Sequence, residues 1–101
     1  MIAETSETFL SGLVKIKEVH APIKKVGSAI KVSMPNMAKI LSITENEGQL
    51  TFSFAFEGSH EFTEREFFLY DSNHTYNLSG AQFFVGAVRC NSDLLYCFER
   101  C

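Results

Sequence analysis

The chain has 101 residues, of which 46% are hydrophobic and 21% charged, with a net charge of −3. That is the profile of one soluble domain with an ordinary core. It excludes a helical membrane span, since no apolar run approaches the ~20 residues needed. It also disfavours duplex nucleic acid as a partner, because the basic residues form no concentrated face to neutralise phosphates.

In chain order, residues 1–11 read as disordered or as one short helix capped by Ser6. The opening MIAETSETFLSGLV has neither a basic nor an apolar leader region, so the expectation is a cytoplasmic chain. LVKIKEV reads as a first strand. In AIKVSMP, Ile30, Val32 and Met34 alternate with Lys31 and Ser33, and Pro35 stops the ladder because it lacks an N–H donor. AKILSITE places Leu41 and Ile43 on one face and Ile40 on the other. Asn46 to Gly48 is a hairpin turn.

QLTFSFAFE is the clearest strand. Leu50, Phe52, Phe54 and Phe56 share one face, and Thr51, Ser53, Ala55 and Glu57 share the other. Its aromatics are therefore expected in the core. Glu57 to Thr63 reads as a polar loop. EREFFLY opposes Phe67 and Leu69 to Phe68 and Tyr70; apolar residues on both faces imply a central strand. DSNHTYNLSG is a long turn, QFFVGAVRC a strand, Asn91 and Ser92 a tight turn, and DLLYCFER the last strand. Six or seven short strands separated by turn signals predict an all-β fold, an antiparallel β-sandwich or small partly open barrel, as a single domain over 1–101.

Chemistry is sparse. Cys90, Cys97 and Cys101 lack the paired spacing of a zinc site, and the first two read as small core hydrophobes. His20, His60 and His74 fall on separate predicted loops or strand ends, so no metal site is expected. Asn73 and Asn77 fit the glycan-acceptor pattern, which only an exported chain would use. Glu57, His60, Glu61, Glu64 and Glu66 read as a solvated acidic segment. Without a nucleophile elbow, a phosphate loop or a Cys/His constellation, no catalytic residue and no cofactor are expected. The lysines at 15, 17, 24, 25 and 31 read as a solvated face.

KVSMPNMAKILSI, FSFAF, REFFLYDSNH, FFVGAV and LLYCFE occur in an order that resembles a family of small uncharacterised β-domains encoded mostly by phages and prophages. The resemblance spans about residues 26–99. It is carried by Met34, Pro35, Ala38, Lys39, Ile40 and Leu41, with His74 at the position of a turn histidine and Gly86 at that of a strand glycine. The turn here lacks the family's two glycines, and Ala87 replaces a threonine. The resemblance implies a viral or mobile-element setting and no activity.

The resulting expectation is a non-enzymatic, self-associating binding protein that inhibits a host process. It would bind a host protein or sequester a small nucleotide-like signalling molecule. For such a ligand, residue type nominates Arg65 or Arg89 for phosphate, Tyr70 or Tyr76 for stacking, and His74 as a hydrogen-bond donor. The alternatives are a structural or assembly component of a virion and a single-stranded nucleic-acid-binding β-domain.

Overall fold

The structure, a computed structural model, describes residues 12–58, 61–78 and 80–101. The expected helix or disorder over residues 1–11, and His60, lie outside the described residues. Seven strands form two antiparallel sheets. They are β1 (Val14–Pro22), β2 (Ile30–Pro35), β3 (Lys39–Asn46), β4 (Gln49–Glu57), β5 (Phe62–Tyr70), β6 (Gln82–Cys90) and β7 (Asp93–Arg100). One sheet has the order β1-β4-β3 and the other β2-β5-β7-β6. The sheets do not close into a barrel, so the architecture is a sandwich.

The core fills the space between the sheets. Leu50, Phe52, Phe54 and Phe56 of β4 face Ile30, Val32 and Met34 of β2, with Phe67 and Leu69 of β5, Val88 and Cys90 of β6 and Cys97 of β7. Each of these comes from one face of an alternating strand, as a half-buried pleat requires. The rings of Phe52 and Phe67 meet across the sandwich at 4.7 Å between centroids. At one rim of the core, Arg65 donates from Nε and Nη2 to the two carboxylate oxygens of Glu99 and from Nη1 to the carbonyl of Ala38. This fork ties β5, β7 and the β2–β3 turn together.

Three local expectations change. The β3–β4 register shifts between Ile40 and Ser42, so Leu41 sits in a bulge. A bulge adds one residue and reverses the alternation beyond it. Ile40 therefore packs against the core on the same side as Ile43, and Leu41 points to solvent, 47% exposed. Second, Phe62 and Thr63 are not in a loop: they open β5, paired with Pro35 and Met34. Third, His20 lies within β1, where its Nδ1 is 2.8 Å from Thr51 Oγ1 on β4.

The β3–β4 hairpin turns through Glu47 (φ 53°) and Gly48 (φ 81°), both left-handed, which matches the twist of the flanking strands. The Glu45 carboxylate accepts the Gly48 N–H at 2.9 Å. The five lysines of the expected solvated face are all exposed. Among the described residues, no helix is long and apolar enough to cross a membrane.

Candidate functional site

The four-stranded sheet is apolar on both faces, and its outward face gathers most of the nominated residues. Because β5 alternates, turning Phe67 and Leu69 into the core turns Phe68 and Tyr70 out of it. The register then sets Phe68 beside Phe98 of β7, and Phe98 beside Phe84 of β6. Three phenylalanines thus stand in one row across three strands. The next row holds Tyr70, Tyr96 and Ala87 in the same way. Ring contacts link them: Tyr70 to Phe98 at 5.6 Å and Phe84 to Phe98 at 5.6 Å, both edge-on. These geometries suit the quadrupoles of the rings.

Exposure rises across the row. Phe68 is buried, Phe98 is half-buried and Phe84, on the sheet's outermost strand, is 52% exposed. Arg100 stacks its guanidinium over Phe68 at 5.0 Å and donates to Glu66 at 2.8 Å, closing that end of the platform. The expectation that the β4 aromatics serve the core holds; on β6, by contrast, Phe83 and Phe84 are both exposed, and so is Phe62 on β5.

The loop from Asp71 folds back over Tyr70. Tyr76 lies 4.7 Å from the Tyr70 ring and donates its hydroxyl to Asp71 Oδ1 at 2.7 Å. The same carboxylate accepts the Asn73 N–H and lies 3.0 Å from His74 Nδ1. A carboxylate only accepts, so His74 Nδ1 carries the proton of that bond, and neutral His74 offers Nε2 as an acceptor. The nominated donor role for His74 thus requires the imidazolium. The hydrogen bonds from Tyr76 and His74 hold the Asp71 carboxyl below its ordinary range, and the hydrogen bond that the Tyr76 hydroxyl gives to Asp71 pushes its phenol up. Tyr70 donates to Gln82 Oε1 at 2.8 Å, while Gln82 Nε2 is buried without a partner among the described residues.

Tyr70, His74 and Tyr76 therefore form one cluster. Arg89 shares their face on β6, two strands away and two positions along, ~10 Å across and ~7 Å down the sheet. It is exposed and makes no ion pair among the described residues. Arg65 does not join them. It lies on the core face of β5, committed to Glu99 and Ala38. Sequence reasoning missed Phe84, Tyr96 and Phe98. The alternation within β6 and β7 marks them only when the register between the strands is known.

No group of three His, Cys, Asp or Glu among the described residues is disposed to hold a metal ion. Cys90, Cys97 and Cys101 are free thiols. Comparison with known proteins finds no matching family model, no matching curated protein and no matching solved structure. The resemblance to phage-encoded β-domains thus rests on the motif residues alone.

Proposed function

We propose that this domain is a non-enzymatic binding protein that works through the outward aromatic face of its four-stranded sheet. One observation carries the reading: the Phe68–Phe98–Phe84 row lies away from the core and becomes more exposed toward the outer strand. Exposed aromatics gathered in rows are expensive for a chain that nothing else covers, and they mark interaction surfaces. The occupant is a protein surface, and the same row supports self-association. The motif resemblance supports a phage or mobile-element setting, in which occupying a host protein would inhibit it.

A second reading is a small planar ligand with an anionic group, such as a nucleotide. It is favoured by Tyr70, Tyr76 and His74 standing on the same face as Arg89, which makes no ion pair among the described residues, and by the buried Gln82 Nε2, which has no partner among them. Single-stranded nucleic acid would use the same rings but needs basic side chains along the strand path. On this face Arg100 is already neutralised by Glu66.

The test is a pull-down from host lysate with the unmodified chain and with Phe84→Ala and Arg89→Ala, analysed for proteins and for small molecules released on heating. A single dominant protein lost with Phe84→Ala supports the first reading. A nucleotide-like mass lost with Arg89→Ala supports the second. Co-sedimentation with assembled particles would make the protein a virion component instead. Retention of every partner by both variants, with unchanged unfolding curves, removes this face as the binding surface.

A further inference from the structure

Part of the outward face is covered by the chain itself. The row beside the phenylalanines runs Tyr70–Tyr96–Ala87, and its exposure is uneven. Ala87 is exposed and Tyr96 half-buried, yet Tyr70 is only 8% exposed. The loop after β5 supplies the cover: the Tyr76 ring lies 4.7 Å from the Tyr70 ring, tilted by 57°.

That loop is held by little else. Residues 72–75, 77 and 78 are all exposed. Among the described residues, no backbone–backbone hydrogen bond ties residues 72–78 to a strand. The fastening is one carboxylate. Asp71 accepts the Tyr76 hydroxyl at 2.7 Å and the Asn73 N–H at 3.2 Å, and lies 3.0 Å from His74 Nδ1. The Tyr76 oxygen accepts in turn from the Asp71 N–H at 3.3 Å. Every partner in this clasp lies within 5 positions of Asp71, so the clasp can open without moving either sheet.

The ring beneath keeps its place by other means. Tyr70 donates its hydroxyl to Gln82 Oε1 at 2.8 Å, meets Phe98 edge-on at 5.6 Å and stacks beside Phe68 at 6.4 Å. None of these contacts comes from the loop. Lifting Tyr76 therefore uncovers a ring that is already positioned, and a seat that needs no rearrangement favours binding.

We propose that the Asp71–Leu78 loop is a strap that fills the seat on Tyr70 in the free protein, and that a partner protein reaches the tyrosine row by displacing Tyr76 with an aromatic side chain of its own. This rests on the outward face being the binding surface. The strap divides that face: Phe98 and Phe84 stay accessible, and Tyr70 is gated. A partner that needs both rows binds only those molecules whose clasp is open, so its apparent Kd rises by the inverse of that fraction. A partner that uses the phenylalanines alone is unaffected. A solvent-exposed clasp of a few hydrogen bonds is weak enough for one inserted ring to shift it open.

The probe is p-cresol, a neutral ring of the kind a partner's tyrosine presents. It is titrated into the full chain labelled with ¹⁵N and with ¹³C in its 3 tyrosine rings. Asp71→Asn removes the charge that fastens the strap, whereas Tyr76→Ala removes the plug and leaves the carboxylate. In Asp71→Asn the Tyr70 and Tyr76 ring signals should move, and the Tyr96 signal should move less. Both variants should bind p-cresol about three- to tenfold more tightly than the unmodified chain, with amide shifts centred on Tyr70 and Tyr96. Tyrosine rings unmoved by Asp71→Asn overturn the clasp. Equal affinity in all the chains, with shifts at Phe84 and Phe98, overturns the strap and leaves the aromatic face standing. Shifts nowhere on this face, in any variant, overturn both.

Discussion

Arg65 cannot be exchanged for lysine without loss, because three of its nitrogens are already engaged at the core rim. A lysine has the charge but not the planar fork that meets both Glu99 oxygens and the Ala38 carbonyl. Truncating it would strand the Glu99 carboxylate, whose side chain is 7% exposed. Arg65→Ala should therefore lower stability by about 2 kcal/mol in urea unfolding, with no change in the slope. The thiols make a second expectation at this scale. Burial pushes the Cys97 thiol up to about 12 and raises that of Cys90, whereas Cys101 is exposed. Only the thiolate is reactive. A colorimetric thiol reagent at pH 8 should titrate Cys101 rapidly in the native protein, and the other two only in denaturant. Of the residues nominated from sequence, Tyr70, His74, Tyr76 and Arg89 share a face, but Arg65 does not. Residue type could not reveal that Glu99, thirty-four positions away, occupies the guanidinium.

Among the elements, the β3–β4 hairpin carries a small cost that can be removed. Glu47 holds φ 53°, a conformation that asparagine tolerates better than glutamate, ahead of Gly48 at φ 81°. Glu47→Asn creates the preferred pair for this turn and should raise the unfolding midpoint, by about 0.5 kcal/mol of stability. The Asp71 loop responds to pH at both extremes. Asp71 has a depressed pKa in the folded state, so its contribution is present above the ordinary value of 3.8 and is lost as pH falls through the lower folded value. Tyr76 is raised, so its contribution is complete below 10.0 and fades as pH rises through the higher folded value. Near-ultraviolet dichroism of the tyrosines should change below pH 4 and above pH 10, and Asp71→Asn should remove the acid limb. Strand identity was legible from alternation alone: β4, β6 and β7 match their predicted spans. The two places where alternation misleads are the bulges, at Leu41 and between Phe84 and Gly86. A bulge is set by the partner strand's register, which a single strand's sequence does not contain.

Across the whole molecule, the phenylalanines divide into two populations. Phe52 is fully buried between the sheets, while Phe84 is 52% exposed on the outward face. Phe52→Ala should cost about 3–5 kcal/mol and Phe84→Ala less than about 1 kcal/mol, compared by thermal or urea unfolding. If Phe84→Ala proved as costly as Phe52→Ala, the outward row would be core and not surface. The two-faced character of β5 was readable in EREFFLY, and it correctly implied a central strand. The face it shares with β6 and β7 was not readable, because three separate alternations must be aligned before a row of rings exists.

The pairing pattern also fixes the order in which the chain can find this state. Asn46 meets Gln49 and Cys90 meets Asp93 across two-residue turns, so these hairpins close on a microsecond scale. Val14, by contrast, must find Glu57, and Ile30 must find Phe67. Those closures bring together distant stretches of chain before any contact rewards them, which places folding on the order of milliseconds to seconds. During that interval the two hairpins exist with their phenylalanines uncovered. The rings of β4 that later fill the core, Phe52, Phe54 and Phe56, are then the chain's main exposure to premature association.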